Sequence, residues 1–273
     1  MNSEKIAAMA DRLIAAHDHA TELSSLSAAD ASFDVPAAYD VLSEIERRRI
    51  AQGWQPVGRK IGFTNRTIWP RYGVYLPMWA RTWAHTVRFA PDNRATLSLA
   101  GLMLPRIEPE VAFMLAAPVP DTNDAEAILA CVEWMAPSFE IVQSHFPNWK
   151  FTAADCTAAF GLHGALVVGA PQRVTTANRK TIAAALPGFT QTLTRGGSVI
   201  QTGKGANVLD SPALALAHLA HVVAGQPAAP PLVAGEVITT GTITDAWPVR
   251  PGETWTSDYG ALGLPGLTLT LSA

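Results

Sequence analysis

The spacing of apolar positions changes character near residue 88. Before it, Ile6, Met9, Leu13 and Ala16 recur every three or four residues among charged neighbours, which predicts an amphipathic helix over 4–23. A second helix is predicted from about Pro36, whose fixed φ suits a first turn. It carries Tyr39, Leu42 and Ile45 on one face and stops by Gly53. The run VGRKIGFTN (57–65) reads as a short strand or strand-like turn. Asn65 to Arg88 then holds Trp69, Tyr72, Tyr75, Trp79 and Trp83 with little periodicity. Such a stretch is either a lid or binding loop, or a loop packed on the core by its aromatics.

Beyond residue 88 the texture is short β-type runs: TLSLAGLML, RIEPEVAFML, SFEIVQ, GALVVG, FTQTLTRGGSVIQTG, GEVITTGTIT and LTLTLSA. Gly196-Gly197 marks a tight hairpin. Two helices interrupt this part. One is predicted over 124–135 (DAEAILACVEWM) and one over 211–223, which opens on a Ser cap with Pro212 in its first turn. The second is apolar nearly all round and is expected to be buried. Strands and helices do not alternate one for one, which predicts an α+β fold rather than a doubly wound sheet. The expected organisation is a helical N-terminal region with a lid over residues 1–88 and a β-rich domain over 89–273.

One strand-like run carries an anomaly. In LPRIEPEVAFML (104–115), Glu108 and Glu110 interrupt Ile107, Val111, Phe113 and Leu115. Strand side chains alternate faces, so the two carboxylates share one face, about 7 Å apart along the chain. Like charges in an apolar setting resist ionisation unless a positive charge joins them. A hard divalent cation with a preference for oxygen ligands, Mg²⁺ or Mn²⁺, answers this. Glu140 in PSFEIVQS is a third acid in an apolar run. The plainer alternative is a solvated face of an edge strand.

Composition narrows the setting. At 273 residues, 48% hydrophobic and 16% charged, the chain can bury a substantial core, with a slight apolar excess that suits an oligomer. A net charge of −3 gives no footprint for nucleic acid or an anionic membrane. Cys131 and Cys156 form no disulfide framework, so a reducing cytoplasm is the expected location. No apolar run approaches the roughly 18 residues of a membrane span, and the first residues lack a signal-peptide core.

GRKIGFT, RIEPEVAF, FEIVQS followed by NWK, SPALALAHLAHVV and AGEVITTGTITDA occur in this order across nearly the whole chain. Together they resemble the 2-keto-4-pentenoate (2-hydroxypentadienoate) hydratase family of the fumarylacetoacetate hydrolase superfamily, whose members serve aromatic catabolism. The resemblance implies a mixed β-roll catalytic domain preceded by a small helical region, and a homo-oligomer. It implies Mg²⁺ or Mn²⁺ on Glu108, Glu110 and Glu140, chelating a small 2-oxo or 2-hydroxydienoic acid and stabilising its enolate. Hydratases of the family add water to the remote double bond. Close relatives decarboxylate 4-oxalocrotonate, and more distant ones hydrolyse acylpyruvate C–C bonds.

By the same resemblance Lys60, in GRKIGFT, is expected near the substrate carboxylate, with an ordinary surface lysine as the alternative. Thr240 and Thr242 match the family's substrate-contacting loop, although strand threonines are common. Lys150 is expected on a turn. Two departures stand out. Where hydratases carry an Asp-Asn-Ala-Ser-like stretch, this chain has Ala159, Phe160, Gly161 and Leu162, with no hydroxyl. Where relatives show an acid, an aromatic and glycine in the lid, it has Met78, Trp79 and Ala80. His163 could replace a lost proton-transfer group, since histidine titrates near neutrality, or it could be a packed core residue. His85 is the weaker candidate. The losses also leave open a non-catalytic subunit that binds a 2-oxo acid or pairs with an active homologue.

Overall fold

The computed structural model describes residues 1–273. Helix α1 (Ser3–His19) starts at Asn2, whose side chain accepts from Lys5 N, and ends where Ala20 turns left-handed. The single turn α2 (Leu26–Ala29) leads to α3 (Val35–Ala51), capped by Asp34 and carrying Pro36 in its first turn. Of the predicted apolar stripes, Met9, Leu13, Ala16, Leu42 and Ile45 are buried, and Ile6 and Tyr39 are half-buried. Met9 and Leu13 of α1 and Val41 and Ile45 of α3 share a core with Ala158, Phe160 and Leu162.

The chain continues through β1 (Pro56–Gly62), α4 (Trp69–Tyr72), β2 (Met78–Trp83), β3 (Val87–Phe89), β4 (Arg94–Ser98) and β5 (Arg106–Leu115). Next come α5 (Ala125–Leu129), β6 (Val132–Val142), α6 (Ala153–Ala158), β7 (His163–Val168), β8 (Gln172–Arg173) and α7 (Arg179–Ala185). The hairpin β9 (Thr190–Arg195) and β10 (Ser198–Lys204) precedes α8 (Pro212–Ala224), β11 (Val237–Thr239), β12 (Trp247–Pro248), β13 (Thr254–Asp258) and β14 (Leu267–Ser272). Gly196 and Gly197 take φ of 55° and 84° at the β9–β10 turn, as a tight hairpin requires.

Two mixed sheets result, one of nine strands with the path β2-β1-β11-β5-β6-β7-β3, and one of five ordered β10-β9-β13-β14-β4. β1 with β11, β3 with β7 and β4 with β14 are parallel; the other pairs are antiparallel. Alternation divides β5 and β6 cleanly. Ile107, Phe139 and Ile141 pack with Trp255 and Leu269 of the smaller sheet, and Val111 and Phe113 pack with Leu216 and Leu219 of α8. The opposite face carries the acids.

The strand pairing crosses residue 88: β1 and β2 are bonded into the sheet that holds β5 and β6. The aromatic stretch divides between its two readings. Trp79 and Trp83 are buried strand residues of β2, whereas Ile68 and Tyr72 wall a cavity. The helix expected over 124–135 ends at Leu129, and Val132–Met135 belongs to β6. Pairing of Trp134 with Met114 and Met135 with Phe113 outweighs the helical spacing there. Helices α6 and α7, short and weakly periodic, were not foreseen.

Candidate active site

The geometry begins with Pro109. A proline in a central strand leaves one ladder position without a donor. On that side β5 is bonded to β12 at Arg106 and Ile107 and to β11 from Ala112 to Met114, so Pro109 falls in the interval between. There the chain from Thr240 to Ala246 leaves the sheet and forms part of a cavity wall. Gly241 takes φ of 95°, and a Cβ on it would lie 1.9 Å from Thr64 Oγ1. Its N–H donates to Glu110 Oε2 at 2.8 Å. Only glycine permits that backbone conformation and that approach together.

On the other side of β5, Glu108 stands directly opposite Glu140 of β6. One oxygen from each of Glu108, Glu110 and Glu140 lies within 4.8 Å of the others. Like charges facing across a ladder are destabilising, and the local charges respond. Burial pushes Glu108 up to about 7, with Glu140 adding to the shift and Lys60 opposing it. Burial also pushes Glu110 well above the carboxylate range, reinforced by Glu140 and Glu108. Burial acts the same way on Glu140, but Lys60 and His163 outweigh it and hold Glu140 below its ordinary value. Glu110 Oε1 and Glu140 Oε2 are buried without hydrogen-bond partners. Clustered hard oxygens with unfilled lone pairs are the donor set a divalent cation needs.

Lys60 of β1 enters from the neighbouring strand, 5% exposed, with Nζ 3.3 Å from Glu140 Oε2. The contact is an ion pair whose alignment falls short of a hydrogen bond. Burial would lower the lysine's pKa, but Glu140, then Glu108 and Glu110, raise it above the usual value. Gly161 leaves room for its stem: a Cβ there would sit 3.2 Å from Lys60 Cδ and 2.8 Å from Ala80 Cβ. Above Lys60 and Glu108 opens a cavity of about 430 Å³, walled by Phe63, Tyr72, Phe151 and Thr242 among others. A larger groove of about 590 Å³, between α3 and the 225–230 segment, holds no comparable group of carboxylates.

Thr242 lines the cavity with its hydroxyl unpartnered. Thr240 does not: it is fully buried and spends its hydroxyl on Val111 O at 2.9 Å. His163 is also kept from the cavity. Its Nδ1 lies 2.8 Å from Glu140 Oε1 and its Nε2 2.8 Å from Thr86 Oγ1. With both nitrogens engaged, the ring supports Glu140 from behind and has no free atom for substrate, which fits the packed core residue of the two readings rather than the general base. His85 stacks edge-on against Trp54, with ring centroids 4.3 Å apart. Lys150 is exposed after a single 3-10 turn.

Met78, Trp79 and Ala80 are buried strand residues, so the acid absent there is absent from a packed position. Gly241, Thr86 and the cavity residues Arg71, Arg106 and Cys156 were not singled out from the sequence. Arg106 was within reach of the period-two argument, since it shares a strand face with Glu108. Both thiols are free, and burial raises that of Cys156 to about 12, so it stays neutral.

A model of the fumarylacetoacetate hydrolase C-terminal family matches residues 81–266. The chain is 30% identical over 260 residues to the 2-hydroxyhexa-2,4-dienoate hydratase of Comamonas testosteroni, covering 95% of each. It is also 30% identical over 228 residues to the 4-oxalocrotonate decarboxylase of Pseudomonas sp. (strain CF600), covering 82% of this chain and 81% of that one. The solved 4-oxalocrotonate decarboxylase from Pseudomonas putida G7, complexed with magnesium and adipate, superposes with a TM-score of 0.88 at 25% identity, over 99% of this chain and 98% of that chain.

Proposed function

The chain belongs to the fumarylacetoacetate hydrolase family, and from that premise we propose that it is a divalent-metal-dependent lyase of the hydratase type. Its substrate class is a small 2-oxo or 2-hydroxydienoic acid. The observation that carries the reading is the group of Glu108, Glu110 and Glu140 beside Lys60, of which Glu108 and Lys60 line a cavity and the other two are buried behind them. A hydratase and a decarboxylase among the relatives, and magnesium in the decarboxylase structure, support it.

The all-oxygen donor set and its two orphaned oxygens fit Mg²⁺ or Mn²⁺, held by the three glutamates. A cation there would supply Lewis acidity toward a chelating 2-oxo acid. The chain's own groups do the rest. Lys60 is held in its ammonium form and so serves as a hydrogen-bond donor and fixed charge for a carboxylate or enolate oxygen, not as a resting base. Thr242 offers a free hydroxyl to orient substrate or water. Phe63, Tyr72 and Phe151 exclude bulk water from one side of the cavity. His163 fixes one oxygen of Glu140 and leaves the other toward Lys60.

A second reading, decarboxylation, draws support from the missing hydroxyls at Ala159–Leu162, because loss of CO₂ requires no activated water. We also propose self-association, since Tyr75 and Leu76 stand 81% and 56% exposed on the segment before β2. A 29 kDa species in light scattering at micromolar concentration would refute that. The activity is tested by following 2-hydroxypentadienoate and 4-oxalocrotonate spectroscopically with Mg²⁺, with Mn²⁺ and after EDTA. Metal-dependent hydration is expected. Metal binding with no turnover across a panel of 2-oxo acids would instead favour a non-catalytic binding subunit.

A further inference from the structure

Beside the aromatic wall of the catalytic cavity lies a second pocket, of about 300 Å³. It is bounded by Val35 and Tyr39 of α3, Val74 and Pro77 of the segment between α4 and β2, Ala153 of α6 and Val222 of α8. No acidic or basic side chain lines it. The polar side chains that do are engaged within the protein. Tyr39 Oη accepts from Trp79 N–H at 3.0 Å, Thr157 Oγ1 donates to Ala153 O at 2.8 Å, and Gln226 Oε1 accepts from Trp79 Nε1 at 2.9 Å. Walls of this kind suit an apolar occupant and disfavour a charged one.

Two side chains, Phe63 and Met78, divide this pocket from the cavity. Phe63 lines both spaces. Met78 lines the pocket, and its thioether runs along Gly62 and Gly161 of the cavity wall, where a Cβ would lie 2.6 Å from Sδ and 3.1 Å from Cε. Sequence neighbours part across the same divide: Tyr72 lines the cavity and Gly73 the pocket, Cys156 the cavity and Thr157 the pocket. The backbone of Phe63 is held at φ 57°, a left-handed conformation that a bulky residue adopts only at a cost. Trp69 Nε1 pins it by donating to Phe63 O at 2.7 Å, and Leu209 N donates to Thr64 O at 2.9 Å. Glycine would take that φ without strain, so what Phe63 contributes is its ring. The residue is only half-buried, its ring resting on Tyr72 with centroids 5.1 Å apart, and the unbranched Met78 beside it can change rotamer readily.

We propose that this pocket takes the far, apolar end of the substrate, an aryl or long alkyl group, and that Phe63 with Met78 is the gate through which that group passes. This rests on the reading of Glu108, Glu110 and Glu140 as the metal centre that holds the acid end. An apolar cavity of roughly 150 Å³ holds a benzene ring, so about 300 Å³ admits an aryl group with part of its chain.

The test is calorimetric binding to the Mg²⁺-loaded protein of oxalate, 2-oxohexanoate and 6-phenyl-2-oxohexanoate; the last two differ only in the terminal ring. The phenyl acid is expected to bind about tenfold or more tightly, through burial of that ring. Val74→Phe and Ala153→Leu narrow the pocket from opposite walls, and each should erase the preference in protein that still takes up oxalate. Phe63→Ala opens the divide and should tighten the phenyl acid further; an unchanged affinity there would overturn the gate. Equal affinity of the wild type for the two acids, or a preference that survives both narrowing variants, would overturn the pocket and leave the metal centre standing. Failure of oxalate to bind protein that holds Mg²⁺ would overturn the metal-centre reading, and the proposal with it.

Discussion

In protein stripped of metal by EDTA at neutral pH, the three glutamates do not share a protonation state, and this separates them by mutation. Glu140 is held ionised by Lys60 and His163, whereas burial pushes Glu110 far toward its neutral form. Glu140→Gln removes the nearest anion from a lysine that is 5% exposed, and it removes the charged acceptor of His163 Nδ1. Deleting one member of a buried pair costs roughly 3–5 kcal/mol. Glu108, pushed up only to about 7, can ionise in its place and offset part of the loss. The net expectation is about 2–3 kcal/mol, a fall in metal-free Tm of about 4–5 °C. Glu110→Gln replaces a neutral carboxyl by a neutral amide whose oxygen still accepts from Gly241 N–H, so it should cost less than about 1 kcal/mol. Both variants lose a ligand oxygen and should bind Mg²⁺ at least about tenfold more weakly. Scanning calorimetry in EDTA followed by Mg²⁺ titration reads both quantities. Equal losses of metal-free Tm in the two variants would refute the assignment of the charge to Glu140, and unchanged Mg²⁺ affinity would refute the triad.

Lys60→Met should remove a charge-assisted contact worth roughly 1.5–3 kcal/mol. Steady-state kinetics would show a rise in KM if the contact is equally strong in the ground state, or a fall in kcat if it forms in the transition state. His163→Ala should weaken Mg²⁺ binding by about 10- to 100-fold through a misplaced Glu140, while the pH–rate profile keeps its shape; His163→Asn, which can still donate to Glu140, should recover part of the affinity. Loss of a neutral-pH limb with metal affinity intact would restore the histidine to catalysis. Asp155 ties the N-terminal region to α6, accepting from Leu26 N, Ser27 N and the hydroxyls of Ser25 and Ser27. Burial opposes its ionisation, but those bonds, with Thr152 N–H, hold its pKa below the usual 3.8. Its contribution is therefore fully present above the unfolded pKa and lost as pH falls through the lower folded one. Asp155→Asn should lower Tm at pH 7 and flatten its decline below about pH 4; an unchanged acid limb would count against this.

Local periodicity carried much of the molecule. The stripes of α1 and α3, the cap and proline of α8 and the glycine hairpin are all written in adjacent residues. Glu108 and Glu110 were legible for the same reason, because period two places them on one face whatever the sheet pairs with. What escaped the sequence depends on register. His163 reads as a histidine beside glycine, and only the irregular pairing after Ile141 sets it behind Glu140 with Thr86 on its far side. Thr240 and Thr242 look equivalent in TTGTIT, yet one faces the backbone of β5 and the other the cavity. Trp134 and Met135 fit a helical face until β5 lies beside them.

Pro109 links the oddity of the sequence to the chemistry of the site. A continuous ladder along that side of β5 would have kept residues 240–246 in the sheet and left Glu108 and Glu110 under flat backbone. The missing N–H makes departure cheap at that interval. Gly241 then lets the departing chain come back close enough for its N–H to reach Glu110. The space opened between β11 and β12 contributes to the cavity that Glu108, Lys60 and Arg106 enter from the sheet. Fold and site are thus not separate features of this chain. One proline in a central strand, tolerable only where pairing is interrupted, requires the interruption that makes room for a substrate above the carboxylates.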